Sequence, residues 1–251
     1  MIQLIRGFKD ILPGEIELWR HIERTAEALF ADFGYCEIRV PIMEKTELFA
    51  RSIGEETDIV EKEMYTFVDR SGDQLTLRPE ATASIVRSFI QHKLYADDPA
   101  CKLYTIGPMF RRERPQKGRY RQFYQIDVEA FGIEGPYIDA QMIYMLHLIL
   151  ERLGVSQTQV HVNSLGCPAC RPTYREALLG MLRGVAERLC NDCRRRMARN
   201  PLRVLDCKVP ECREAVANAP AIVDYLCSGC QIHFDAVIRS LTQRGVPFVP
   251  D

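Results

Sequence analysis

The stretch from Ile106 to Phe131 constrains the fold more than any other, because it reads as a strand, a basic loop and a returning strand. Period-two alternation puts Arg111 and Glu113 on one face of the incoming strand, with Phe110 and Arg112 on the other. On the outgoing strand Tyr124, Ile126, Val128 and Ala130 share an apolar face, while Phe123, Gln125, Asp127, Glu129 and Phe131 share the opposite one. An antiparallel pair packed on one face leaves the other to solvent or to a polar pocket. Between Arg111 and Arg121 six cations (Arg111, Arg112, Arg114, Lys117, Arg119, Arg121) meet the single acid Glu113. In an ordinary surface hairpin such charges are simply solvated. Crowding them is costly without an anion, however, and the planar fork of Arg suits phosphate oxygens. The acids on the following strand offer a matched site for an ammonium group. An amino acid together with ATP would satisfy both halves.

Taken in order, the chain begins with Arg6-Gly7-Phe8-Lys9-Asp10 and a helix expected over 15–33, its stripe formed by Ile16, Trp19, Ile22, Ala26, Leu29, Phe30 and Phe33. A strand over 36–40 ends at Pro41. A short helix is expected over 46–54, then a hairpin of 64–68 with 74–78. Pro79 is suited to the first position of a helix running to about His92. Glu80 and Thr82 beside it need be no more than polar first-turn residues favoured by the helix dipole. A helix over 136–153 and a strand over 158–163 follow. Strands interleaved with helices, several joined as hairpins, predict an α+β domain on a mixed or antiparallel sheet. Neither G-x-G-x-x-G nor G-x-x-x-x-G-K-[ST] occurs, so a Rossmann or P-loop route to ATP is unsupported.

Cysteine divides the chain. Only Cys36 and Cys101 precede Gly166, and the other eight form four pairs: Cys167/Cys170, Cys190/Cys193, Cys207/Cys212 and Cys227/Cys230. Charge divides it too, with 20 Lys/Arg against 25 Asp/Glu up to residue 166 and 13 against 9 after it. Domains over 1–166 and 167–251 follow as an expectation. Two pairs make one Cys₄ site, so eight thiolates suffice for two structural Zn²⁺ ions with no open coordination position. The pairs combine into two sites in three ways, and spacing does not choose among them. Disulfides would need an oxidising compartment, and the spacings do not match ferredoxin runs. Unliganded remnant pairs stay open as an alternative, and His233 reads as a surface residue. The start of the chain lacks a secretory apolar region, and no stretch approaches 18 uncharged apolar residues. That reads as cytoplasmic, with no membrane partner.

The string F-R-R-E-R-P-Q-K-G-R-Y-R-Q-F of the basic loop resembles motif 2 of class II aminoacyl-tRNA synthetases, in its bacterial histidyl form. T-L-R-P-E-A-T, residues 76–82, is similar to the histidine-binding T-X-R-P-E-G-T of the same family, with Ala81 where Gly is expected. The helix, strand and Pro41 near the start resemble motif 1, and Asn200-Pro-Leu-Arg-Val-Leu-Asp206 resembles the family's insertion domain.

The resemblance spans 1–251 and implies a class II synthetase-like sheet flanked by helices, with a small helical cysteine-rich insertion. It implies activation of L-histidine by ATP with Mg²⁺, then transfer to tRNA(His), by a homodimer joined through motif 1. Arg111 would be catalytic, meeting the α-phosphate and the histidine carboxylate. Glu80, Thr82, Gln125 and Glu129 would recognise histidine. Glu113 and Phe123 would hold and stack adenine, and Arg119 would meet the distal phosphates. Arg114, Gln116 and Lys117 would touch the tRNA acceptor stem, and Arg194, Arg195, Arg196 and Arg199 offer further phosphate contacts. A third motif and an anticodon-binding domain are not found, so an N-terminal part of a longer enzyme, weakly active or inactive by itself, is expected. The rival from another class is the synthetase-like regulatory subunit of ATP phosphoribosyltransferase, which would bind histidine without chemistry.

Overall fold

The stripe of apolar residues at helical spacing forms α1, Ile16–Asp32, with Ala26, Leu29 and Phe30 buried beneath it. We describe a computed structural model that covers residues 2–54, 57, 59–96, 98–113 and 116–250. Contacts divide the chain into two units, 1–134 with 148–156, and 135–147 with 157–251. This division falls ten residues ahead of the boundary expected at Gly166 and adds the first part of a helix to the second unit.

In the first unit β1 (Cys36–Glu37) pairs parallel with β5 (Lys102–Phe110), which pairs antiparallel with β6 (Gln122–Ala130). A second sheet runs β2 (Met43–Lys45), β4 (Gln74–Leu77), β3 (Tyr65–Val68), with α2 (Thr46–Ile53) between β2 and β3 in sequence. The sheets are mixed and antiparallel, as the interleaving of strands and helices implies. Phe30 packs on Tyr104 of β5, with ring centroids 4.8 Å apart, so α1 covers the face that β5 shares with Val128. The other face is covered by α3, Thr82–Gln91, whose Ile85 joins Ala81, Leu103 and Met109 in one apolar cluster against Phe123 and Phe131.

Both faces of β6 are therefore covered. On the apolar one the Trp19 ring meets Tyr124 edge-on, centroids 4.8 Å apart, while Tyr124 and Ile126 remain 38% and 37% exposed. The polar face, with Gln125, Asp127 and Glu129, is the one that lies under α3 and is half-buried. Apolar periodicity identifies a face; which helix lands on it is a long-range outcome.

In the second unit α4 (Pro136–Arg152) supplies Ala140, which packs with Val162 of β7 (Val160–Val162), Val237 and Leu241 of α9 (Ser228–Gln243), and Val246. β7 pairs in parallel with β8, Phe248–Pro250. The cysteine-rich segment forms its own cluster from α5 (Cys170–Gly184), α6 (Asn191–Arg199), α7 (Leu202–Leu205) and α8 (Pro210–Ala215). Tyr174, Leu178, Leu182, Val204 and Ile222 fill it. Helix α9 begins at Ser228 with Cys227 at its N-cap, and the Gln231 N–H donates to the Cys227 carbonyl at 2.9 Å.

Candidate active site

The two long strands leave the sheet at Phe110 and re-enter at Gln122, so Arg111 to Arg121 form a loop rather than strand ends. One further ladder bond, from the Arg111 N–H to the Arg121 carbonyl at 2.9 Å, carries the pairing to the loop's base. It holds Arg111 beside Phe123: the guanidinium lies over that ring, 5.1 Å from its centroid, and Nε donates to the Pro79 carbonyl at 2.9 Å. Phe123 shares its face with Gln125, Asp127 and Glu129. Arg111 and Glu129 therefore turn to the same side of the sheet.

The start of α3 brings two more residues to this face. Helix α3 begins at Thr82 rather than at Pro79, because the Pro79 carbonyl is taken by Arg111 and the Arg78 N–H by Ile42. Glu80 accepts the Ala83 N–H at 3.0 Å and so acts as a helix cap. The Thr82 side chain lies beside the Glu129 carboxylate. Burial pushes Glu129 above the usual carboxylate range, Thr82 pulls it back, and nearby Glu80 adds to the rise.

Asp127 is the extreme case. Burial first, then the neighbouring Glu80 and Glu129 carboxylates, push it up to about 6, while Arg78 and Arg111 act in the other direction. Its Oδ2, and Oε1 of Gln125, are buried acceptors with no hydrogen-bond partner among the described residues. A buried acceptor without a donor is destabilising by about 1–3 kcal/mol. Two of them on one face call for a donor-rich group, and an ammonium is the natural fit.

Sequence reasoning did not select Arg78 or Asp127 as site residues. Arg78 is only 3% exposed, and its charge is held by backbone oxygens: Nε donates to Pro108 and Nη1 to Val40, both at 2.9 Å. It lies against Gly107, where an added Cβ would run into Nη2. Gly107 is the register partner of Gln125, and Thr105 that of Asp127, so β5 keeps its side chains small or absent opposite these two residues. The signal for Asp127 was present, since it alternates with Gln125 and Glu129. Arg78 gave none, because its partners lie 30 and 38 residues away.

The basic loop spends several of its cations locally. Arg119 pairs with Glu113 at 2.7 Å. Arg121 donates to the Glu113 carbonyl and, at 3.3 Å, to the carbonyl of Arg6, while its N–H meets Gly7 at 2.6 Å. It thus pins the start of the chain to the loop. Gln116 and Lys117 are exposed at the tip, where Gly118 takes a φ of 79°. Arg114 lies outside the described residues. Arg194 is likewise committed, donating to the carbonyls of Ala186, Glu187 and Leu189, and Arg195 pairs with Asp192.

The cysteines gather into two sets, Cys167, Cys170, Cys227 and Cys230, and Cys190, Cys193, Cys207 and Cys212. His233 is in neither and bonds Asp139 at 2.7 Å.

Residues 7–168 match the family model described as Histidyl-tRNA synthetase. The histidine–tRNA ligase of Desulfosudis oleivorans is 65% identical over 99% of this chain and 59% of its own length. That of Geobacter sulfurreducens is 57% identical over 99% of this chain and 60% of its own. Among solved structures, apo Staphylococcus aureus histidyl-tRNA synthetase gives a TM-score of 0.77 at 37% identity, covering 100% of this chain and 57% of that one. A Bacillus halodurans structure described as an ATP phosphoribosyltransferase regulatory subunit/histidyl-tRNA synthetase gives 0.68 at 19% identity, covering 98% and 66%, a likeness of fold. The chain spans about 59% of the length of the curated relatives it matches.

Proposed function

Because this chain belongs to the histidyl-tRNA synthetase family, we propose that its hairpin site binds ATP and L-histidine and joins them as histidyl-adenylate, the histidyl group then passing to tRNA(His). The observation that supports this reading most is the Arg111 guanidinium over Phe123, on the face that also bears Gln125, Asp127 and Glu129. In the reaction the histidine carboxylate attacks the α-phosphorus and pyrophosphate leaves. Negative charge gathers on the α-phosphate as the new bond forms.

Arg111 meets that charge. With Nε held on the Pro79 carbonyl, the guanidinium is oriented before substrate arrives, so its Nη edge can take oxygens of the phosphate and the histidine carboxylate without reorganisation. Phe123 and Glu113 hold adenine, and Arg119 turns from Glu113 to the distal phosphates. Mg²⁺ arrives with the ATP phosphates as part of the substrate. Glu80, Thr82, Gln125 and Glu129 surround the histidine ammonium. Bringing the two ligands together in one orientation supplies much of the rate.

Arg114, Gln116 and Lys117 meet the acceptor stem, a role the exposed loop tip suits. Residues 1–166 form the catalytic core and 167–251 the insertion, with structural Zn²⁺ on the eight cysteines from Cys167 to Cys230. The homodimer contact uses α1 and the segment to Pro41, and the protein works in the cytoplasm. Among the described residues no helix is long and apolar enough to cross a membrane.

The test is Arg111→Ala in the chain extended to its relatives' length. ATP–pyrophosphate exchange should fall at least ~10²-fold. Exchange near the parental rate overturns the assignment. Calorimetric titration of this chain with histidine and with ATP separates loss of binding from loss of chemistry.

A further inference from the structure

The structure resolves the pairing of the cysteines that spacing leaves open. In each set all four Sγ atoms lie within 4.8 Å of one another. The separations are 3.5 Å for Cys167–Cys170, 3.9 Å for Cys167–Cys227 and 4.0 Å for Cys190–Cys207. A tetrahedral ion with Zn–S bonds of ~2.3 Å sets sulfurs about 3.8 Å apart, whereas a disulfide sets them at about 2.05 Å. The observed spacing is that of ligands around one ion.

A second feature occurs in both sets. The Cys227 N–H donates to Cys170 Sγ at 3.0 Å, and the Cys190 N–H donates to Cys212 Sγ, also at 3.0 Å. In each set the first residue of one pair sends its amide to the second sulfur of the other pair. Amide donors stabilise a thiolate, the form a metal ion needs. Cys227 and Cys190 are also the caps of α9 and α6, where helix N-termini favour negative charge.

The sets differ in position. Cys193, Cys207 and Cys212 are buried within the apolar cluster of Leu178, Leu182 and Val204. In the other set only Cys170 is buried and Cys227 is exposed. That outer set joins residues 60 apart, and the inner set lies wholly between its two halves.

We infer that the module holds two separate tetrathiolate metal centres with different duties. The inner centre, Cys190, Cys193, Cys207 and Cys212, is part of the core and keeps its ion. The outer centre, Cys167, Cys170, Cys227 and Cys230, clasps the starts of α5 and α9 and exchanges its ion. The inference rests on the zinc reading above and adds to it the partition and the order of release. The ligand is a thiophilic divalent cation of the Zn²⁺ class. Loss of the outer ion frees the two ends of the module and leaves its core; loss of the inner ion removes the core's centre.

The experiment is elemental analysis of the chain refolded with Zn²⁺, followed by chelator competition. Two Zn²⁺ per chain are expected, released in two phases, the first at least ~10-fold faster. Cys167→Ser with Cys227→Ser should hold one Zn²⁺, lose the fast phase and keep amide-exchange protection over 174–216. Cys193→Ser with Cys207→Ser should lose that protection. Should this second variant fail to fold, the release kinetics of the parent chain decide. No bound metal sinks both the zinc reading and the partition. Two ions leaving in a single phase, or loss of the slow phase in the first variant, overturns the partition and spares the zinc reading.

Discussion

The polar face of β6 and the cysteine module both gather groups that call for a cationic partner, and they differ in how the chain arranges them. Gln125, Asp127 and Glu129 stand on alternate positions of one strand, so the chain itself keeps them from converging. Gln125 Oε1 and Asp127 Oδ2 are left with no hydrogen-bond partner among the described residues. The thiols sit in pairs with helix starts between them, and folding brings four sulfurs to one point. On the readings proposed above, one arrangement is an open site for a ligand that comes and goes, and the other is the shell of a bound ion. Spacing along the backbone decides which of the two a run of acids or thiols becomes.

Substitutions can break or sharpen that contrast. The largest effect is expected for Gly107→Ala. Arg78 cannot swing aside, since Nε and Nη1 are bonded to Pro108 and Val40, so the new Cβ displaces a buried cation. A loss of about 3–5 kcal/mol in denaturant unfolding, together with loss of histidine binding, should follow. Metal content should stay at the parental level; a fall would join the two regions that the comparison separates. Leu182→Ala, at a fully buried position among the inner cysteines, should lower module stability by about 2–4 kcal/mol. Histidine affinity in calorimetry should be unchanged, and a clear weakening would count against independence.

The smallest effect belongs to Asp127→Asn and appears as a pH dependence. The folded protein holds the Asp127 proton up to about 6, above the ordinary value of 3.8, so folding favours the protonated form. Stability contributed by that proton is complete below the ordinary value and is lost as pH rises through 6. Parental stability should therefore fall by about 1–2 kcal/mol between pH 4 and 6.5, after allowance for partial exposure. The Asn variant should lack that component. Equal slopes for both proteins would show that Asp127 is not the group responsible.

Much of this was legible beforehand. Alternation along 122–130 put Gln125 and Glu129 on one face, whereas only the family resemblance picked Arg111 out of six loop cations. Helical spacing outlined α1 and α4 to within about a residue. The burial of the polar face was not legible, because it depends on Ala81 and Ile85 packing against Leu103, Met109 and Phe123. Nor was Arg78, whose neighbours are carbonyls of distant loops rather than acids nearby. The choice among three cysteine pairings failed for the same reason: spacing records distance along the chain, whereas nesting is a property of the folded path.

Nesting has a consequence for how the chain is made. Synthesis runs from the first residue onward, so Cys167 and Cys170 leave the ribosome well before Cys227 and Cys230. In that interval Cys190 through Cys212 emerge and can close on an ion while the earlier two sulfurs still lack half their shell. Order of appearance does not by itself select that partnership, since Cys167, Cys170, Cys190 and Cys193 have all emerged before Cys207; what favours the inner set is the apolar cluster of Leu178, Leu182 and Val204 that closes around it.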